Sequence, residues 1–259
     1  QDATPNAGGP DIDVWYADGS DQLTFGVAGN PQPQVNILGN VNDPDGVKSL
    51  TYSLNGSSAE EVNFGVFSAA AALNETEDDS EQGGMGGDYG AVLQGLTAES
   101  DNARLDSPGD FNIEILTTQL NSNNTLELKA KDDNDNTTTK IIALRYVSGV
   151  TPTLPFTIDW EKVSSITDQT QIVDGRWTWS QGLGTVRSEV GYDRLVALGD
   201  LSWGEYEIEV PVTIHELPKS NSGGIGLVAR WNGHFSAEGE PLCAKQVPLP
   251  VVRHREDRP

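Results

Sequence analysis

Between residues 124 and 146 the chain carries a two-residue period that admits one kind of local structure. Leu126, Leu128 and Ala130 alternate with Glu127, Lys129 and Lys131, the pattern of an antiparallel strand with one dry and one wet face. Asp132-Asp133-Asn134-Asp135-Asn136 then interrupts the run with residues that favour turns. A second strand follows over 137–146, which closes a hairpin. The same signature appears upstream. Residues 11–16 and 23–27 place β-branched and aromatic side chains around the turn-forming Ala17-Asp18-Gly19-Ser20, and 34–38 continues after two prolines. Short strands with tight connections predict an all-β chain. Residues 1–10, small and polar without periodicity, read as a disordered lead-in.

The most specific stretch runs from Asn36-Ile37-Leu38-Gly39-Asn40-Val41-Asn42 through Asp43-Pro44-Asp45-Gly46 to Leu50-Thr51-Tyr52-Ser53-Leu54-Asn55-Gly56. It resembles the Asp-Pro-Asp-Gly turn and following strand of immunoglobulin-like or cadherin-like repeats in large bacterial surface proteins. The resemblance returns at Arg104-Leu105 and Pro108-Gly109-Asp110-Phe111-Asn112-Ile113-Glu114-Ile115. It implies an immunoglobulin-like β-sandwich over 11–147 and a secreted or cell-surface, bacterial setting. Within it, 57–101 is longer than an ordinary connection, rich in Glu, Asp and Gly, and apolar only at 69–73 and 91–96. That composition reads as an acidic insertion with the character of a flap.

Residues 148–155, with two prolines and a glycine, read as a linker. Beyond it the pattern turns aromatic: five of the six tryptophans fall here, and 156–160, 177–179, 206–214 and 225–231 are expected strands. Trp203-Gly204-Glu205-Tyr206-Glu207-Ile208-Glu209-Val210 and Ser222-Gly223-Gly224-Ile225-Gly226-Leu227-Val228-Ala229-Arg230-Trp231 resemble adjacent strands of a concanavalin A-like or laminin G-like sandwich. The resemblance implies a jelly-roll domain over 156–240, incomplete because no strand pattern follows Trp231. Residues 241–259 form a Pro-rich tail in which Lys245, Arg253, Arg255 and Arg258 face only Glu256 and Asp257. So abrupt a change reads as a truncation or an altered reading frame.

Charge narrows the partners. Acidic residues outnumber basic ones 39 to 16, for a net charge of -23, which repels phosphate backbones and anionic lipid. Nucleic acid is excluded on that ground, and no run approaches the ~20 apolar residues that a membrane helix needs. A single cysteine, Cys243, permits no intrachain disulfide, which is compatible with a bacterial surface protein. The start at Gln1 is what removal of a leader would leave. Asn-x-Ser/Thr triplets at Asn55, Asn74, Asn123 and Asn136 are explained by local composition.

Candidate chemistry is confined to a few clusters. Glu205, Glu207 and Glu209 share one strand face, and spaced carboxylates perform glycoside hydrolysis; in so acidic a chain a solvated strand face is the preferred account of them. Arg187-Ser188-Glu189-Val190 is similar to the Arg-Ser-Glu-Leu strand of jelly-roll alginate lyases, with His215 in a partial match to a second lyase strand. That resemblance implies a uronate-neutralising arginine, but the strand bearing the family's tyrosine is absent. Tyr192, Arg194, Arg230, Trp231 and His234 combine aromatic faces with fixed donors, the composition of a sugar-binding surface. Asp132-Asp133-Asn134-Asp135-Asn136 looks like a calcium loop yet lacks the glycine after Asn136 and carries Ala143 in place of a bidentate glutamate. A hairpin turn suffices, so no cofactor is expected, and calcium stays an open alternative without a ligand set to support it. The function expected is an extracellular carbohydrate-recognition or adhesion module that binds glycan or cell-surface polysaccharide. A polysaccharide-degrading hydrolase or lyase and a structural stalk are the alternatives.

Overall fold

The computed structural model describes residues 8–65, 105, 107–189, 194–213, 226–231 and 233. Its first half contains β1 (Asp11–Val14), β2 (Gln22–Phe25), β3 (Gln34–Asn42), β4 (Val47–Leu54), β5 (Glu60–Glu61), β6 (Asp110–Leu116), β7 (Asn123–Asp132) and β8 (Thr137–Tyr146). They make two sheets, ordered β1-β3-β6 and β2-β8-β7-β4-β5. Every pairing is antiparallel except β2 with β8. The chain therefore starts in one sheet and crosses to the other before β3, the split first strand of an immunoglobulin-like sandwich. Asp18 fixes that crossing: its carboxylate accepts from the Ser20 amide, the Ser20 hydroxyl and the Gln22 amide at 2.7–3.0 Å.

The alternation read from the sequence matches the register. Leu126, Leu128 and Ala130 of β7 are fully buried and pack with Leu50, Ile142 and Phe111. Glu127 and Lys129 point outward. Gly39 is required where β3 passes under Phe111, because a Cβ there would strike the ring and the Asp13 carbonyl. Burial of the dozen or so large aliphatic and aromatic side chains in this cluster, at ~1.5–3 kcal/mol each, drives the fold without a disulfide.

Residues after 155 contribute β9 (Gln171–Asp174), β10 (Trp177–Ser180), β11 (Thr185–Ser188) and β12 (Leu195–Ala197). β10 pairs with β11 and β9 with β12, as two separate two-stranded ladders. The expected strand at 177–179 is present. Those at 156–160, 206–214 and 225–231 are not strands over their described residues, while β9 and β12 were not anticipated. The described residues thus do not build a second two-sheet sandwich. Their apolar side chains go elsewhere: Ile166 and Ile172 join Leu38 on the outer side of β3, packed by Trp15, Trp160, Trp177 and Trp179. Of the acidic insertion only 57–65 is described, and the tail 241–259 lies outside the described residues. No helix among the described residues is long and apolar enough to cross a membrane.

Candidate aromatic platform

Half-buried aromatic rings gather where the second segment meets the end of the sandwich. Phe156 and Trp203 lie 5.8 Å apart between centroids with planes tilted by 59°, and Trp203 and Tyr206 lie 6.0 Å apart at 61°. Such edge-to-face spacing is favourable for π-systems. Trp203 is held twice over. Its indole N–H donates to the Pro152 carbonyl at 2.9 Å, and its amide donates to the Asp200 carbonyl at 3.0 Å.

Asp200 ties this corner to the sandwich. One carboxylate oxygen accepts from the Ser202 amide and hydroxyl, the other from the Asn30 amide at 3.0 Å, and the Leu201 amide donates to the Asn30 carbonyl at 2.9 Å. Burial works to raise the Asp200 pKa, but these donors outweigh it and hold the carboxyl below its ordinary value. Gly199 is obligatory beside it, since its φ is +88° and a Cβ would enter the Trp203 ring.

Arg230 borders the rings. Its amide donates to the Tyr206 hydroxyl at 2.8 Å and its guanidinium to the Gly204 carbonyl at 2.9 Å, with φ at +59°. The residue is exposed and leaves further N–H groups directed to solvent. Flat aromatic faces bordered by a fixed donor fork suit ligands that offer both C–H surfaces and hydroxyls.

The residues singled out from the sequence fall in different places. Arg230 borders the platform. Trp231 donates its indole N–H to Gln32 at 3.0 Å, so part of its ring is used in holding the two segments together. Arg194 keeps its side chain 6% exposed, 3.6 Å from Glu189. Glu189 also accepts the Arg176 amide at 3.0 Å, while Arg187 is exposed on β11. Glu205, Glu207 and Glu209 are exposed on a stretch that belongs to no ladder, with no facing carboxylate among the described residues. Tyr192, His215 and His234 lie outside the described residues. Phe156, Trp203 and Tyr206 were read from the sequence as strand residues and not as site residues. Trp203 and Tyr206 are close in sequence, but nothing in the sequence couples Phe156 to them.

Two further features lie apart from the platform. The side-chain oxygens of Asp43, Asp45 and Asp132 converge within 4.8 Å of one another, where the β3–β4 and β7–β8 turns meet. Oxygen donors of this kind can hold a hard divalent cation. Here they also shape the turns: Asp43 accepts the Asp45 amide, and Asp132 accepts the Asn134 and Asn136 amides at 2.7–2.9 Å. Asp132 thus caps the hairpin turn expected from the sequence, but alongside partners from the Asp-Pro-Asp-Gly turn. A cleft of about 40 Å³ between the segments is lined by Trp15, Tyr16, Phe25, Asn36, Thr170 and Gln171. It has room for water but not for a sugar ring.

No family model matches the chain, and no curated protein matches it. Similar solved structures include fibronectin(III)-like modules of Clostridium thermocellum CbhA, at 11% identity over 53% of this chain and 46% of that chain, with a TM-score of 0.27. The SrpA adhesin from Streptococcus sanguinis is 14% identical over 65% of this chain and 74% of that one, with a TM-score of 0.26. A 1.5-MDa bacterial ice-binding adhesin is 11% identical over 57% and 35%, with a TM-score of 0.27. The chain spans less than half the length of the first of these. At such scores the likeness adds nothing to the fold already read from strand order.

Proposed function

We propose that the chain is an adhesion module of a bacterial surface or secreted protein, in which the immunoglobulin-like sandwich is a spacer and the aromatic platform binds glycan. The observation that carries this reading is the gathering of Phe156, Trp203 and Tyr206 beside Arg230. Stacking on aromatic faces and donation from a guanidinium are how proteins hold uncharged sugars. The net charge of -23 favours a neutral or cationic glycan over a polyanion. No specific observation favours the hydrolase or lyase reading.

The test is a glycan array on the full chain, with and without chelator, followed by calorimetry on any hit. Tyr206→Ala and Arg230→Ala should each weaken binding by about tenfold or more while leaving thermal unfolding of the sandwich in place. Reducing-end and unsaturated-product assays should stay blank. A folded protein that binds no glycan, or variants that bind as the parent does, would return the chain to the stalk reading.

A further inference from the structure

Residues 206–213 run on from the platform without a turn or bend, yet their main chain makes no hydrogen bond to any other main-chain group among the described residues. Beyond Tyr206, which is held by the Arg230 amide and the Trp203 ring, the side chains are as unpartnered as the backbone. Ile208, Val210 and Val212 are 40%, 43% and 48% exposed, and Glu205, Glu207 and Glu209 are exposed with no ion pair among the described residues. In an extended chain alternate residues share a face, so this sequence separates an apolar row from a carboxylate row. Alternate residues also share an edge. Paired as a strand, Tyr206, Ile208, Val210 and Val212 would present every N–H and C=O on one edge, whereas Pro211 removes a donor from the other.

We propose that this stretch is an acceptor edge for an extended segment of a partner protein in which apolar residues alternate with lysine or arginine. Strand addition satisfies the free backbone groups, and alternate side chains supply selectivity. The charge pattern chooses the partner: three free carboxylates on one face call for cations directly opposite. A second copy fits poorly, because antiparallel self-pairing sets glutamate against glutamate between two chains that each carry -23. This proposal does not rest on glycan binding and fails or stands separately from it.

The experiment uses the full chain and a fluorescein-labelled eight-residue peptide of alternating valine and lysine, read by anisotropy at physiological salt. It should saturate, while an alternating valine and glutamate peptide and a block peptide of the same valine and lysine composition bind about tenfold more weakly or not at all. Glu207→Lys with Glu209→Lys should reverse the preference between the lysine and glutamate peptides. Ile208→Pro with Val210→Pro, which removes two donors from the intact edge, should abolish binding with the thermal unfolding of the sandwich unchanged. Equal affinity for block and alternating peptides would reduce the effect to bulk charge and overturn the proposal. So would a preference that survives charge reversal, or sedimentation of the unliganded protein as a dimer that the proline variant dissolves.

Discussion

The Tyr16 hydroxyl serves two backbone groups on the far side of the chain: it donates to the Gly175 carbonyl at 3.0 Å and accepts the Trp177 amide at 2.7 Å. Beside it, the Arg176 guanidinium lies 5.3 Å from the centre of the Trp15 ring. Burial pushes the Tyr16 phenol up from 10.0 to about 12, with the Trp177 amide opposing that rise. A raised pKa means that the folded state holds the proton more tightly than the unfolded chain. The associated stability is therefore intact below about pH 10 and is lost as the pH climbs towards about 12. Tyr52 is also pushed up to about 12, by burial and then by its hydrogen bond to Glu60. From neutral pH up to about 10 the unfolding temperature should stay level, and between about 10 and about 12 it should fall, with the tyrosinate absorbance appearing late. Tyr16→Phe should lower stability by ~1–3 kcal/mol at neutral pH, since two partly buried backbone groups lose their partner. It should also flatten the alkaline limb. A variant as stable as the parent, with an unchanged alkaline limb, would show that the hydroxyl contributes nothing.

At the scale of the element, β3 decides how the halves meet. Its sequence alternates Val35, Ile37 and Val41 with Gln34, Asn36 and Asn40, as a half-buried strand would, yet residues 34–39 are buried on both sides. The polar face is dry because amides satisfy one another. Gln32 donates to Asn36, Asn36 to Asn112, and Asn112 to the Val173 carbonyl and the Asp174 carboxylate at 2.5–3.0 Å. Asn112→Ala should therefore cost ~1–3 kcal/mol, as a broken buried network does. A double-mutant cycle with Asp174→Ala should return a coupling of at least ~0.5 kcal/mol in urea unfolding. Strict additivity would mean that the contact is incidental. This also marks the limit of what the sequence made legible. A period of two identifies strands and the inward face, and it placed β7, β8 and the inward row Leu126, Leu128 and Ala130 correctly. It says nothing of whether the polar face meets water or a second layer of the same chain, because glutamine and asparagine suit both. The strands expected at 206–214 and 225–231 failed for a related reason. Alternation shows that a segment can pair, while pairing itself needs a neighbour whose backbone is free, and the described residues provide none. Phe156 could not be joined to Trp203 and Tyr206 because their contact is tertiary and has no local signature.

For the molecule as a whole, the question is whether the linker at 148–155 separates two bodies or merely changes the direction of the chain. The contacts that bridge it are spread widely. Leu38 packs with Ile166 and Ile172, Gln171 donates to the Gln34 carbonyl at 2.8 Å, Trp231 to Gln32 at 3.0 Å, and the Asn30 amide to Asp200 at 3.0 Å. With Tyr16 and Asn112 these links tie the β1–β2 and β2–β3 connections, β3 and β6 to described residues of the second segment between Ile166 and Trp231. The energetic consequence follows from what each side would expose alone. Freed of the second segment, the outer side of β3 would present Leu38 and a row of amides to water. The segment's described residues would keep two two-stranded ladders, each too small to stand by itself. Neither half then retains its full stability without the other, and unfolding should be a single transition. Tryptophan fluorescence reports mainly on the second segment, which holds five of the six indoles. Far-UV circular dichroism reports mainly on the sandwich that holds β1 to β8. In urea the two signals should coincide in midpoint and slope, and a fragment ending at residue 147 should unfold at a lower midpoint than the full chain. Fluorescence that changes well before the dichroism, together with a fragment as stable as the intact protein, would mean that the bridging contacts are too weak to couple the halves. The segment bearing the platform would then swing on its linker, rather than being held at a fixed angle to the spacer.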